Sequence, residues 1–173
     1  NTPREQWDAL TVAHPLWMLR RWASTLGWQP ALARAASHNQ LPATYIRGTG
    51  GMAPEALRTA LQEEDIALQP TLLRSCFRVE TGNIVRTDLF IRGELAIQDL
   101  ASQMIPLLLD VRPGQRVLVL CAAPGNKTSL LALAAGSKGT VIAGDLHAHR
   151  LQRWAPPNSR ANTAPVLRLA LDG

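Results

Sequence analysis

The chain has 173 residues and a mass of 18.8 kDa, enough for one ordinary domain or two small ones and for a core that needs no disulfide or metal staple. With 46% hydrophobic and 18% charged residues, the composition excludes a disordered chain, and no window of about 18 uncharged apolar residues offers a membrane-spanning helix. The net charge of +5 is uneven: residues 1–97 carry ten Arg against nine acids, while residues 98–173 carry six Arg and two Lys against four acids, so phosphate contact is most available to the C-terminal part. The opening NTPREQWD lacks the basic-then-apolar pattern of a signal peptide. Cys76 and Cys121 alone make neither a disulfide framework nor a zinc site, and a reducing, cytoplasmic setting is expected.

The first segment reads as helical. From Pro15, residues Leu16, Leu19, Trp22, Ala23 and Leu26 follow the three-and-four spacing of a helix up to Gly27, and an alanine-rich helix is expected from Pro30 to Ser37. Four of the five tryptophans lie in the first 28 residues and are expected to anchor this layer. From Ala43 the period changes: ATYIR reads as a strand, GTGG as a turn and PEALRTALQEED as a helix. Two extended stretches, Ile66 to Glu80 and Ile84 to Ile91, flank the Thr81-Gly82-Asn83 turn.

The third part alternates helix and strand. A helix is expected from Gln98 to Leu109, then the strand RVLVL, the loop CAAPGNKT, an apolar helix to Ala135, the strand TVIAGD, a short helix stopped by Pro156-Pro157, and the strand VLRLALD. Apolar strands alternating with helices indicate a parallel sheet. The domain reading is therefore a helical segment (1–40), a small α+β subdomain (41–97) and a domain built on a parallel sheet (98–173).

Ligands of open parallel sheets bind at the carboxyl ends of the strands. Three features fall there: the loop Cys121 to Thr128, Asp145 and Asp172. A tight loop opening onto a helix lets backbone N–H groups approach a ligand, and an acid ending the next strand, here twenty residues after Gly125, is placed to hold ribose hydroxyls. The alternative is that both acids are only polar strand ends. The loop is neither a phosphate-binding G-x-x-x-x-G-K-[ST] nor a dinucleotide-binding G-x-G-x-x-G.

On these residues the chain resembles the Sun/Fmu family of S-adenosylmethionine-dependent RNA cytosine-C5 methyltransferases. The matching pieces are Gln98-Asp99-x-Ala101-Ser102-Gln103, the CAAPG-x-KT loop, Asp145 followed by Arg150-Leu151, HPLWMLRRW at residues 14–22, and Tyr45-Ile46-Arg47 in place of an arginine-containing strand. The resemblance implies an α/β fold: the N-terminal half of a Rossmann-like methyltransferase sheet, preceded by a small helical plus α+β subdomain. It also implies S-adenosyl-L-methionine as cofactor, bound by a partial Rossmann-like domain (98–173), and RNA, ribosomal in complete members, as partner, faced by the α+β subdomain (41–97). The implied cofactor site comprises Cys121, Ala122, Ala123, Pro124, Gly125, Asn126 and Lys127, with Asp145 on the ribose, Asp172 near the adenine, and Arg150 beside them. Cys121 is then a loop residue beneath the cofactor rather than a nucleophile, and no catalytic or metal-binding residue is assigned.

Two positions depart from the family pattern. Val119 stands where an acid is usual, and Asn126 where a glycine is usual, which suggests a left-handed backbone at Asn126. The family's catalytic cysteine motifs lie beyond the third strand, so the chain is expected to be truncated before them. Two further readings stay open: a non-catalytic RNA-binding remnant, with Arg150, Arg153, Arg160 and Arg168 as contacts, and an assembly protein reusing the sheet. In the methyltransferase strand order 3-2-1 the strand RVLVL becomes an apolar edge, which predicts self-association.

Overall fold

The computed structural model describes residues 3–152 and 162–172. The chain divides into two compact units, Asn1–Pro42 and Ala43–Gly173. The first unit holds three helices, α1 (Arg4–Thr11), α2 (Leu16–Leu26) and α3 (Trp28–His38). Gly27, at φ 88°, accepts the turn between α2 and α3 that a side chain would resist. Ala9, Leu19 and Ala35 form the unit's core with Trp22 and Trp28 packed against them. Trp28 Nε1 donates to Asp8 at 2.7 Å, and the Arg34 guanidinium lies 5.0 Å above the Trp22 ring. Trp7 and Trp17 are exposed, so the expectation that the tryptophans anchor the helical layer does not hold for these two.

The second unit begins with an antiparallel sheet. Its strands are β1 (Tyr45–Gly48), β2 (Ala67–Pro70), β3 (Cys76–Thr81) and β4 (Leu95–Ile97), in the order β2-β3-β1-β4. Ile46 and Phe77 face each other and join Leu57 and Leu61 of α4 (Pro54–Glu63) in one core. The next residues in register, Arg47 and Cys76, point to the opposite face by the two-residue period of a strand.

Residues Ile84 to Ile91 are not extended, as their β-branched composition suggests. They form a short 3-10 turn (Ile84–Arg86) and helix α5 (Asp88–Ile91). The cause is the cap at Thr87, whose hydroxyl accepts from the Phe90 N–H at 3.3 Å, while Ile84 and Leu89 both enter the core. Likewise the stretch Ile66 to Glu80 is broken between Pro70 and Cys76, where Thr71 Oγ1 donates to the Cys76 carbonyl at 2.9 Å.

Helix α6 (Leu100–Leu108) leads into a parallel sheet of β5 (Arg116–Val119), β6 (Thr140–Asp145) and β7 (Val166–Ala170), in the order β5-β6-β7, with α7 (Asn126–Ala135) and α8 (Ala148–Gln152) as crossovers. This is half of a Rossmann-like methyltransferase sheet in the expected strand order. Val117 and Val141 pack with Leu131, Ala132 and Ala135 of α7. On the other face Leu118, Ile142 and Leu167 align across the strands, and Leu118 and Leu167 are each 57% exposed. Among the described residues β5 pairs with β6 alone. The expected helix end at Pro156-Pro157 lies outside the described residues, as do Arg153 and Arg160. Among the described residues no helix is long and apolar enough to cross a membrane.

Candidate cofactor-binding site

Parallel register places the carboxyl ends of all three strands on one edge. Val119 pairs with Ala143, Asp145 pairs with Ala170, and the Leu171 N–H donates to the Asp145 carbonyl at 3.1 Å. The loop 121–125, Asp145 and Asp172 are therefore neighbours along one sheet edge, as a nucleoside pocket requires. Ala122 anchors the loop to β6, its N–H donating to the Gly144 carbonyl at 2.8 Å.

Asp145 is buried and works on the loop directly. Its Oδ2 accepts from the Ala123 N–H at 3.0 Å and its Oδ1 from the His147 N–H at 3.2 Å. Arg150 adds a longer contact, 3.6 Å to Oδ1. The His147 and Ala123 N–H groups, with a smaller contribution from Arg150, hold the Asp145 carboxyl below the ordinary carboxylate range. Each carboxylate oxygen has two lone pairs, so the same group retains acceptor capacity for a hydroxyl.

The left-handed residue of the loop is Gly125, at φ 106°. Asn126 is instead the first residue of α7 and does not adopt the left-handed backbone that its place in the family pattern suggests. A helix start accepts any ordinary residue there, so Asn in place of glycine costs the loop no backbone strain. Gly125 caps α7 without a side-chain hydrogen bond, so the first-turn N–H groups have no side-chain acceptor from the cap. The strand end thus offers a carboxylate acceptor, which suits hydroxyl groups, beside peptide N–H donors, which suit an anionic group.

The other expected residues fall around this core. Ala123 is half-buried, Pro124 and Lys127 are exposed, and Asp172 is exposed beyond β7. Cys121 is exposed. Cys76 is fully buried, with Gln103 Nε2 3.1 Å from its sulfur, and burial pushes its thiol up. Val119 is half-buried and packs between the two apolar clusters of the sheet. The rings of His147 and His149 stack 5.5 Å apart. No three His, Cys, Asp or Glu side chains among the described residues converge as a metal site.

Reading by motif missed Arg47 as a neighbour of the loop. The guanidinium is buried and its NH2 group donates to the Asn126 carbonyl at 3.3 Å, 79 positions away in sequence. Its occurrence in the Tyr45-Ile46-Arg47 strand was the only signal, and nothing in a strand pattern says which loop an arginine will meet.

The family described as "16S rRNA methyltransferase RsmB/F" matches residues 106–172. The chain is 31% identical over 146 residues to the "Probable ribosomal RNA small subunit methyltransferase B" of Bacillus subtilis (strain 168), covering 83% of this chain and 33% of that protein. A solved "Methyltransferase Homolog Protein from Pyrococcus Horikoshii" superposes with a TM-score of 0.83 at 24% identity, over 99% of this chain and 57% of the other. "NSun6 from Pyrococcus horikoshii with SFG" gives a TM-score of 0.80 at 15% identity, over 91% of this chain and 65% of the other. The chain thus spans about a third of the curated relative it matches.

Proposed function

Since the chain belongs to the Sun/Fmu family of RNA methyltransferases, the family matched here as RsmB/F, we propose that it forms the S-adenosyl-L-methionine-binding part of a cytosine-C5 methyltransferase acting on small-subunit ribosomal RNA in the cytoplasm. The observation that carries this reading is the carboxylate of Asp145 at the end of β6, tied by the Ala123 N–H to the loop after β5. Supporting it are the name of the curated relative and the S-adenosylmethionine analogue SFG in a structure of the same fold.

In this reading Asp145 holds the ribose hydroxyls, the loop from Cys121 to Lys127 lies along the amino-acid end, and Asp172 accepts from the adenine amino group. Arg150 keeps Asp145 charged and oriented. When bound, S-adenosylmethionine supplies the electrophilic methyl group; this chain's residues bind and orient it. Cys76 does not suit attack on cytosine, since a nucleophilic thiol needs an environment that lowers its pKa and burial raises that of Cys76. Calorimetric titration with S-adenosylhomocysteine tests the reading: weak, saturable binding is expected, and no heat at millimolar ligand would overturn it.

A second reading, a non-catalytic RNA-binding or assembly remnant, draws on Val119, an apolar residue at the strand end where the family has an acid. RNA binding is expected in both the enzyme and the RNA-binding remnant, weak and falling steeply with salt, because a modest excess of cations would contact phosphates. Filter binding at low and at physiological salt checks this. Equal affinity at the two would leave the assembly reading. Arg150 is engaged with Asp145, so it serves the loop before it serves RNA.

The edge of β5 that carries no strand among the described residues, and the exposed Leu118, support self-association of this chain by strand addition. Sedimentation is expected to show a concentration-dependent dimer that Leu118→Lys weakens. A strictly monomeric chain at high concentration would count against it.

A further inference from the structure

We propose that Arg47 is the positioning residue of the loop, holding the first turn of α7 in the orientation that the cofactor requires; the inference rests on the cofactor reading above. Three stretches distant in sequence meet at this one guanidinium. Its Nε donates to Gln98 Oε1 at 2.8 Å, NH1 to the Gly48 carbonyl at 3.2 Å, and NH2 to the Asn126 carbonyl at 3.3 Å. Gln98 is itself fixed: its N–H donates to the Tyr45 carbonyl at 2.9 Å, its Nε2 to the Ser102 carbonyl at 3.2 Å, and its carbonyl accepts from Gln103 Nε2 at 2.7 Å. The antiparallel sheet, the start of α6 and the start of α7 are thereby joined through one planar group.

The electrostatics argue against a merely structural junction. Arg47 is 5% exposed, and Gln98, Gly48 and Asn126 all meet it through neutral oxygens. Desolvation lowers its pKa to about 10, so it remains charged at neutral pH. A buried cation held only by neutral acceptors, beside the positive end of a helix, is costly. An apolar side chain of similar volume would join the two layers at least as well. What an apolar residue cannot do is grip the Asn126 peptide. The peptide unit carrying the Asn126 carbonyl joins Asn126 to Lys127, so its orientation fixes the Lys127 N–H in the first turn of α7, next to the loop.

The test uses the full chain with Arg47→Lys, Arg47→Met, Gln98→Leu and Gln98→Glu, read by amide hydrogen exchange without ligand and by S-adenosylhomocysteine titration. Arg47→Met is expected to speed exchange at the hydrogen-bonded amides 129–132 of α7 at least about tenfold while β6 stays protected, and to weaken S-adenosylhomocysteine by roughly tenfold, one charge-assisted hydrogen bond. Arg47→Lys is expected to do the same, because a point charge cannot span three acceptors set for a planar fork. Gln98→Leu should follow them, while Gln98→Glu, which keeps the acceptor for Arg47 Nε but loses the donor to the Ser102 carbonyl, should lie nearer wild type. Exchange within about twofold of wild type in Arg47→Lys overturns the proposal, even where Arg47→Met fails to fold. If the wild-type chain gives no heat with S-adenosylhomocysteine, the cofactor reading fails, and exchange at 129–132 still decides whether Arg47 positions the start of α7.

Discussion

Replacing Gly139 by alanine is expected to lower the melting temperature by about 6–12 °C, from a destabilisation of roughly 3 kcal/mol at about 2–4 °C per kcal/mol for a chain of this size. Gly139 closes the turn from α7 into β6, its N–H donating to the Gly136 carbonyl at 2.9 Å. A Cβ there would lie 2.6 Å from the Ala135 carbonyl oxygen and 2.7 Å from the Gln115 carbonyl oxygen. Both obstacles are backbone, so no rotamer change relieves them; the helix must move away from the sheet. That movement would disturb Ala135, Val141 and their shared cluster. Thermal unfolding followed by circular dichroism reads the effect, with the exposed neighbour Lys138→Ala as a control expected within about 0.5 kcal/mol of wild type. A loss under about 2 °C for Gly139→Ala would show that this turn relaxes freely.

The second large effect is expected at Asp145. Asp145→Ala should weaken S-adenosylhomocysteine by at least about tenfold, because it removes the acceptor for the ribose and leaves the Ala123 and His147 N–H groups without their partner. Asp145→Asn separates two contributions: one amide oxygen can serve one of the two N–H groups but not both. The same carboxylate predicts an acid limit. Its native pKa is depressed by the two backbone N–H groups, with Arg150 adding a smaller effect. Its contribution is therefore complete above the ordinary carboxylate pKa of about 4 and disappears as pH falls through the lower native value. Thermal stability of the wild type should accordingly fall more steeply between about pH 5 and pH 2 than that of Asp145→Asn. Parallel curves would show that the loop does not depend on this charge.

Much of this was legible along the chain because local signals and tertiary outcome coincide. The run RVLVL, the loop CAAPGNKT and the strand TVIAGD are each defined by residues within a few positions: continuous apolar strands, a Pro-Gly turn and an acid at a strand end. Their order alone places the loop and Asp145 on one edge, since parallel strands joined by a helix end on the same side. Family membership was legible for the same reason, carried by Gln98 to Gln103 and Cys121 to Thr128.

What the tertiary structure decided depends on partners remote in sequence. Ile84 to Ile91 has the composition of a strand, but the Thr87 cap and the core positions of Ile84 and Leu89 make it helical. Asn126 stands where the family pattern has glycine, but the left-handed backbone falls one residue earlier, at Gly125. The role of Arg47 is of the same kind. Its strand pattern says only that it faces away from Ile46; that this face meets α6 and the first turn of α7, so that a charged group is buried against the Asn126 carbonyl, follows from how the two sheets pack. Periodicity reports which side of an element is buried, whereas the identity of the burying partner is set by long-range packing that no local pattern encodes.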